Sequence, residues 1–148
     1  MSDFQNAVTP LQNPTRTAAA ASTATNAATG EDDTLKFARA IAHAADERKG
    51  ADIRVLRVEE VSFIADYFII VTGFSSAQVR AIARSMTDVA AADFDRHPIR
   101  TEGQGESSWI LQDYGEVIVH IFLPEARDYY GLEAFWGHAE EVSLAAQS

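Results

Sequence analysis

Apolar residues between positions 35 and 72 repeat first at helical spacing and then as strand-like runs. Asp32-Asp33-Thr34 supplies capping side chains and Gly50 follows the cationic pair Arg48-Lys49, so the sequence predicts a first helix between them. Its inward residues would be Leu35, Ala38, Ile41, Ala42 and Ala45. Segment 52–58 is rich in β-branched residues, and 67–72 is an uninterrupted apolar run. Two strands are therefore predicted, the second covered on both faces.

A second helix is predicted after the stretch V-T-G-F-S-S-A-Q-V-R, which runs from 71 to 80. Gly73 marks a turn, and Ser75 or Ser76 can cap the helix that follows. The apolar residues of this segment again recur at helical spacing. They are Val79, Ile82, Met86 and Val89, with Arg80, Arg84 and Asp88 on the outer face. We expect the helix to end between 93 and 98.

The pattern from 99 to 124 predicts a short strand, a glycine-rich loop and a hairpin. Trp109–Asp113 and Glu116–Leu123 are strand-like segments on either side of a Tyr114-Gly115 turn. Pro124 ends the hairpin and can open a last helix, with breaks at Gly131 and Gly137. The element order αββαβββα predicts a mixed β-sheet with flanking helices, an α/β (α+β) fold.

The first 33 residues differ in composition from the rest of the chain. They are mostly Ala, Thr, Ser and Asn, with almost no large apolar side chain to offset the entropy of ordering. A transit peptide is less favoured, because this stretch has one arginine, Arg16, and begins with Asp3. We expect a disordered tail over 1–33 and a single domain over 34–148. With no membrane span, the protein is expected to be soluble and cytoplasmic, with a plastid as the alternative.

The formal net charge is −10, and it is concentrated in the last third of the chain. Residues 34–101 contain ten Lys or Arg against nine acidic residues, whereas 102–148 contain one Arg against nine. An acidic surface repels phosphate backbones, so nucleic acid is disfavoured as a direct partner. A basic protein is the complementary partner.

The candidate catalytic and metal-binding patterns are all incomplete. No cysteine is present, and the Gly73 turn lacks the lysine of a P-loop and the repeated glycines of a dinucleotide fingerprint. A nucleotidyltransferase would need two carboxylates at i and i+2 of a strand, but Asp93-Phe94-Asp95 falls at a predicted helix end. We expect no catalytic residue, no metal and no cofactor.

The histidines leave one alternative open. His43, His97 and His138 lack ligand spacing and are predicted to be structural or solvent-facing. His120 is an ionisable group within an apolar strand, so it is either a hydrogen-bonded sheet residue or a partner contact.

Both faces of the second hairpin strand are apolar, so either helices cover both or one face meets another protein. Trp109, with Tyr114 at the turn and the carboxylates of Asp113 and Glu116, has the composition of a binding hot spot with a polar rim. The alternative is that Trp109 is a core residue and Tyr114 an ordinary turn residue. The aromatic segment 126–137 poses a similar choice between attaching the C-terminus to the sheet and extending a contact surface.

Several linked segments between Thr34 and Trp136 resemble the ribosomal silencing factor family, also called the Iojap family. They are K-G-A-D-I-R-V-L-R-V, S-F-I-A-D-Y-F-I-I-V-T-G-F-S-S-A-Q-V-R-A-I-A, T-E-G followed by W-I-L-Q-D-Y-G-E-V-I-V-H-I-F, and R-D-Y-Y-G-L-E-A-F-W. The resemblance implies a nucleotidyltransferase-like fold without transferase activity. It also implies binding to ribosomal protein L14 of the large ribosomal subunit, which blocks joining of the small subunit when nutrients are scarce. Free members tend to form homodimers.

The resemblance also suggests partner-binding residues. Trp109, Asp113, Tyr114 and His120 match the strongest family motif, and Tyr130 matches the tyrosine of the C-terminal motif. Relatives often have leucine at the position of Tyr114. The competing functions are an acidic dimeric adaptor for protein interactions and, less favoured, a nucleotidyltransferase-like enzyme.

Overall fold

The computed structural model describes residues 32–60 and 62–144 and contains four helices and six strands in these ranges. The helices are α1 (Asp33–Glu47), α2 (Ser76–Phe94), α3 (Pro124–Tyr130) and α4 (Leu132–Phe135). The strands are β1 (Ala51–Arg57), β2 (Tyr67–Thr72), β3 (Arg100–Glu102), β4 (Trp109–Asp113), β5 (Val117–Phe122) and β6 (Glu140–Val142). Residues 1–31 lie outside the described ranges, so the predicted disordered tail stays a prediction.

The six strands form one mixed sheet in the order β3-β4-β5-β2-β1-β6. The central pair, β2 and β5, is parallel with Tyr67 opposite Val117, and the other neighbours are antiparallel. All residues of both central strands are buried, which is the result expected for continuous apolar runs in the middle of a covered sheet. The prediction of a mixed sheet with flanking helices is confirmed.

The sheet separates two hydrophobic clusters. The larger lies beneath α1 and α2 and includes Phe37, Ile41, Ile82, Met86 and, from the sheet, Ile69, Val119 and Ile121. The smaller lies on the other face, where Phe68, Ile118 and Phe122 are packed against Trp109, Leu132 and Trp136. Both faces of β5 are therefore covered at least in part, and Trp109 lies at the margin of the smaller cluster.

Side chains bond two of the backbone amides around the start of α2, which are then not available to an anion. The Ser75 hydroxyl accepts from the Gln78 amide at 3.0 Å, and the Gln78 side-chain oxygen accepts from the Phe74 amide at 2.7 Å. This pattern is similar to a capping box. A Cβ at Gly73 would lie 2.9 Å from a methyl of Val79, so glycine permits close packing of the turn against the helix. Gly73 is thus a turn and packing residue.

The C-terminal region is divided at one of its two predicted breaks. Gly131 adopts a left-handed conformation, with φ 54°, and divides α3 from α4, as its role as a break suggested. The last strand, β6, was not predicted, because three residues of which two are glutamates carry no strand pattern. Its position depends on pairing with the edge of β1 and on ion pairs such as Arg57–Glu140 at 3.2 Å.

Candidate partner-binding surface

An aromatic cluster lies on the face of the β4–β5 hairpin opposite to α1 and α2. The ring centroid of Trp109 is 4.9 Å from that of Phe122 and 4.5 Å from that of Tyr130. Trp109 is half-buried, whereas Tyr130 is 48% exposed. The cluster therefore has a packed base and an accessible rim.

Strand register and chain direction explain why these rings meet. Trp109 lies directly opposite Phe122 in the antiparallel pair, so the two side chains share one face. Immediately after β5, Pro124 starts α3 and turns the chain back over this face, with the Leu123 amide bonded to the Ser108 carbonyl at 2.9 Å. Tyr130, at the end of α3, then reaches Trp109.

His120, on β5, holds the Trp109 indole by a hydrogen bond. The indole N–H of Trp109 donates to Nδ1 of His120 at 3.2 Å, and the imidazole lies edge-on to Phe68 at 5.1 Å. Since Nδ1 is the acceptor, the neutral ring carries its proton on Nε2, which has no hydrogen-bond partner among the described residues. His120 is 4% exposed, and desolvation by burial lowers its pKa to about 4. It is a neutral sheet residue that orients Trp109.

Asp113 belongs to the hairpin turn and its edge. One carboxylate oxygen accepts from the Gly115 amide at 2.8 Å, and the other pairs with Nε of Arg100 on β3 at 3.3 Å. Asp113 and Trp109 share a strand face, but four residues of strand separate them by about 13 Å. The structure therefore does not bring Asp113 into the aromatic cluster.

The expectation that Tyr114 forms part of the same surface needs correction. Tyr114 is 2% exposed and packs edge-on against Phe37 of α1 at 5.1 Å, in the larger cluster on the other face of the sheet. Burial raises the pKa of its hydroxyl to about 12. The Tyr114 ring fills apolar space beneath α1 and is part of the core. This position is consistent with the leucine that relatives are expected to have there.

An arginine and glutamate network attaches the C-terminal helices to the sheet. Arg127 is 8% exposed, donates to the Thr72 hydroxyl at 2.7 Å and pairs with Glu133 through two nitrogens at 2.9 Å. Glu133 and Glu141 also accept from Arg54 on β1. The hydrogen bonds that Glu133 accepts lower its pKa to about 2, and the bond from Arg127 has the largest effect. Together with the packing of Leu132 and Trp136, they show that this segment is attached to the sheet.

Several large apolar side chains are exposed, and one of them, Tyr129, belongs to the aromatic segment 126–137 for which the sequence predicts either attachment to the sheet or a contact surface. Tyr129 is 82% exposed and contacts Tyr130 edge-on at 5.0 Å, so it extends the rim of the aromatic cluster. The adjacent tyrosines on a short predicted helix were the available signal. Phe63 and Ile64, in the β1–β2 connection, are also exposed. Nothing in their spacing distinguished them from core residues.

The described part of the chain offers few features for metal or membrane binding. No group of three or more His, Cys, Asp or Glu in these ranges is arranged to hold a metal ion. Asp93 and Asp95 are exposed at the end of α2, and Asp95 is its left-handed cap residue, as the assignment to a helix end predicted. Among the described helices, none has the length and apolar character needed to cross a membrane.

Comparison with known proteins gives matches over most of the chain. The family model described as "Ribosomal silencing factor during starvation" matches residues 31–148. The ribosomal silencing factor RsfS of Bacillus subtilis is 44% identical over 113 residues, which are 74% of this chain and 90% of that protein. The chloroplastic protein Iojap of Zea mays is 43% identical over 110 residues. That match covers 74% of this chain but about half, 47%, of the maize protein.

A solved structure supports the same relationship. The crystal structure of a Chromobacterium violaceum protein matches with a TM-score of 0.68 and 33% sequence identity. The match covers 72% of this chain and 88% of that one. Fold and sequence agree over the same region, and the chain belongs to the ribosomal silencing factor family.

Proposed function

We propose that this protein represses translation by binding the large ribosomal subunit through ribosomal protein L14 and sterically blocking the small subunit, under nutrient limitation. The supporting observation is the accessible aromatic cluster of Trp109, Tyr129 and Tyr130 on a sheet of the ribosomal silencing factor family. The relatives' names support the silencing role. The partner and the steric mechanism are inferred from the resemblance.

The cluster has the physical properties of a binding anchor. Aromatic rings contribute much contact area with few rotatable bonds, and hot spots are enriched in Trp and Tyr. The hydrogen bond to His120 and the tilted ring contact with Phe122 hold Trp109 in one orientation before binding. Little side-chain entropy is then lost when a partner contacts it.

Charge around the cluster suits a basic ribosomal protein. Glu125 and Asp128 are exposed on α3, the helix that carries Tyr129 and Tyr130. Glu133, in contrast, is neutralised by Arg127 and Arg54 and contributes little negative potential. Within the rim, Glu125 and Asp128 are therefore the residues that would steer a cationic partner.

The proposed mechanism needs no chemical step. A domain of this size can supply its share of a standard interface of about 1,600 Å² in total. An enzyme of the nucleotidyltransferase type would need paired strand carboxylates, and Asp93 and Asp95 are at a solvent-exposed helix end instead. The names of the relatives are consistent with action in the bacterial cytoplasm or in a plastid. The free protein is proposed to be a homodimer.

Sedimentation with separated ribosomal subunits tests the proposal. The protein, added before the subunits are allowed to join, should travel with the large subunit and reduce the amount of joined particle. The variant Tyr130→Ala should weaken both effects, whereas Phe63→Ala, which removes an exposed ring from the β1–β2 connection, should retain them. If the protein stays at the top of the gradient and joining is normal, the ribosomal proposal is wrong. The dimeric adaptor would then be the remaining candidate.

A further inference from the structure

A second, unassigned site lies on the opposite side of β4 from Trp109. An open pocket of about 200 Å³ separates α2 from β3 and β4. Its lining consists of Ala83 and Ile110 together with the polar residues Arg80, Arg84, Thr87, Thr101, Gln104 and Gln112. Most of these side chains are polar, and two carry a permanent positive charge. The volume is below the range of about 300–1,000 Å³ found for drug-sized ligands, which favours a small metabolite.

The floor of the pocket contains a buried acceptor without a partner. Gln112 is 1% exposed, and its side-chain nitrogen donates to the Ala83 carbonyl at 3.0 Å. That bond assigns the oxygen, Oε1, to the other side, where it has no hydrogen-bond partner among the described residues. Buried polar atoms are rarely left in this state, because desolvation without a hydrogen bond is costly. Because Oε1 itself is inaccessible from the pocket, a small rotation of the Gln112 amide toward the pocket is needed before a donor on a bound molecule can satisfy it.

The cationic wall of the pocket is partly held in place. Arg80 donates to the Ser107 hydroxyl at 3.2 Å, and that hydroxyl donates to the Gln104 carbonyl at 2.8 Å. Ser107 is fully buried, and its amide is bonded to the Gly103 carbonyl at 2.9 Å. The β3–β4 loop thus positions Arg80. Arg84, one helical turn further along α2, makes no ion pair or side-chain hydrogen bond with the described residues.

We infer that this pocket binds a small hydroxylated phosphate monoester. A phosphate monoester carries a charge of about −2 at neutral pH, which the two guanidinium groups would balance, and arginine forks match its oxygens. A single carboxylate would leave one positive charge uncompensated. The hydroxyl of the ligand would donate to Oε1 of Gln112, and the Thr101 hydroxyl, on the strand register opposite Gln112, can donate to the phosphate. This inference does not rest on the proposed ribosomal function.

Calorimetric titration of the full-length protein tests the site with three probes. Glycerol 3-phosphate combines both groups, methyl phosphate lacks the free hydroxyls, and glycerol lacks the phosphate. We expect glycerol 3-phosphate to bind about tenfold or more tightly than methyl phosphate, since one buried acceptor is satisfied only by the former. Glycerol alone should not bind. Equal affinities for the two phosphates, or no binding of glycerol 3-phosphate at millimolar concentration, would overturn the inference.

Variants and a spectroscopic readout locate the binding. Arg84→Gln should weaken glycerol 3-phosphate binding about tenfold or more, by loss of a charge-assisted hydrogen bond. The matched control Arg48→Gln removes the same charge at an exposed position after α1 and should bind as the unmodified protein does. Arg84 is exposed, so its variant is expected to unfold at the same temperature. The Gln112 side-chain amide resonances should shift on titration, and unshifted resonances or equal effects of the two variants would refute this site.

Discussion

At the scale of single residues, the side chains of the candidate surface divide into those that are accessible to a partner and those that support the accessible ones. Trp109 and Tyr130 are accessible, whereas His120 is buried beneath them and hydrogen-bonded to the indole. Tyr114 is on the other face of the sheet, in the core. A single sequence motif therefore distributes its residues between an accessible surface, the support of that surface and the opposite core.

Removing either accessible ring should weaken binding to the large subunit. We expect Tyr130→Ala to cost about 2 kcal/mol of binding free energy, as is usual for an aromatic hot spot. Trp109→Ala should cost at least as much, with some loss of stability because the indole also packs on Phe122. Binding measured by cosedimentation, with urea unfolding to monitor the fold, would separate the two effects. Unchanged binding of a folded Tyr130→Ala variant would remove this residue from the interface.

His120 should make folding stability depend on pH. Its pKa is lowered from 6.5 to about 4 in the folded state, so the unfolded chain binds the proton more readily. The stabilisation is complete above pH 6.5 and declines as the pH falls toward 4. At pH 5 the loss should be about 2 kcal/mol relative to pH 7. Urea unfolding at both pH values measures it.

The control for this prediction is His120→Gln, which keeps a hydrogen-bond acceptor near the Trp109 indole but cannot be protonated. Its stability should change about 2 kcal/mol less between pH 7 and pH 5 than that of the unmodified protein. Glu133 does not affect the difference between pH 7 and pH 5. Its pKa is lowered from 4.5 to about 2, so its contribution to folding stability is lost only below pH 5. Parallel pH profiles of the two proteins would contradict the role assigned to burial of His120.

At the scale of elements, the aromatic rim depends on how α3 and α4 are attached to the sheet. Apolar packing by Leu132 and Trp136 supplies one attachment, and the buried Arg127 supplies another through Thr72 and Glu133. The surface is thus held by bonds between residues distant in sequence, Arg127 to Thr72 at a separation of 55 residues and Arg54 to Glu133 at a separation of 79. A substitution that weakens these attachments should displace Tyr129 and Tyr130, although neither tyrosine is itself replaced.

We expect Arg127→Met to lower the free energy of unfolding by about 3 kcal/mol, because it leaves the buried Thr72 hydroxyl and the partly buried Glu133 carboxylate without this donor. Arg48→Met, at an exposed position, should change it by less than about 0.5 kcal/mol. Chemical denaturation of both variants provides the measurement. If Arg127→Met is as stable as its control, apolar packing alone attaches the C-terminal helices.

Two glycines of the β3–β4 loop test how closely this loop packs against β4, because one of them can serve as the control for the other. Gly103 has φ +87°, and a Cβ there would overlap the carbonyl oxygen of Trp109, whereas nothing lies within 4 Å of a Cβ at Gly105. Gly103→Ala should therefore destabilise the protein by about 2 kcal/mol or more, and Gly105→Ala by less than about 0.5. Thermal unfolding would distinguish them. Equal stabilities would mean that the loop can move away from β4 at no cost.

At the scale of the whole molecule, charge should control how fast the protein finds a basic partner. Association with the large subunit is expected to slow as salt is added. The double variant Glu125→Lys/Asp128→Lys should reduce the association rate about tenfold at low salt, with a smaller effect on dissociation. Asp46→Lys/Glu47→Lys changes the net charge equally at the exposed end of α1 and serves as the control. Equal association rates for the two double variants would show that the negative charges near Tyr129 and Tyr130 do not steer the partner.

Local patterns predicted most of the fold. Ser75 as a cap, Pro124 as a helix start, Gly131 as a break and the two continuous apolar strands all appear where the sequence places them. These features depend on interactions within a few residues or on a face buried in any compact arrangement. In contrast, β6 depends on a long-range pairing with β1, for which three residues provide no signal.

The sequence by itself determined every element except β6, the family, and the alternation that separates the two faces of the hairpin. Alternation says that Trp109 and Gln112 point in opposite directions, but not which face the helices cover. The tertiary structure decided that Tyr114 fills the core beneath α1, that His120 loses water and its charge beneath Trp109, and that Tyr130 closes over the indole. Burial and contact between distant residues depend on how the elements pack, and packing is a property of the whole chain.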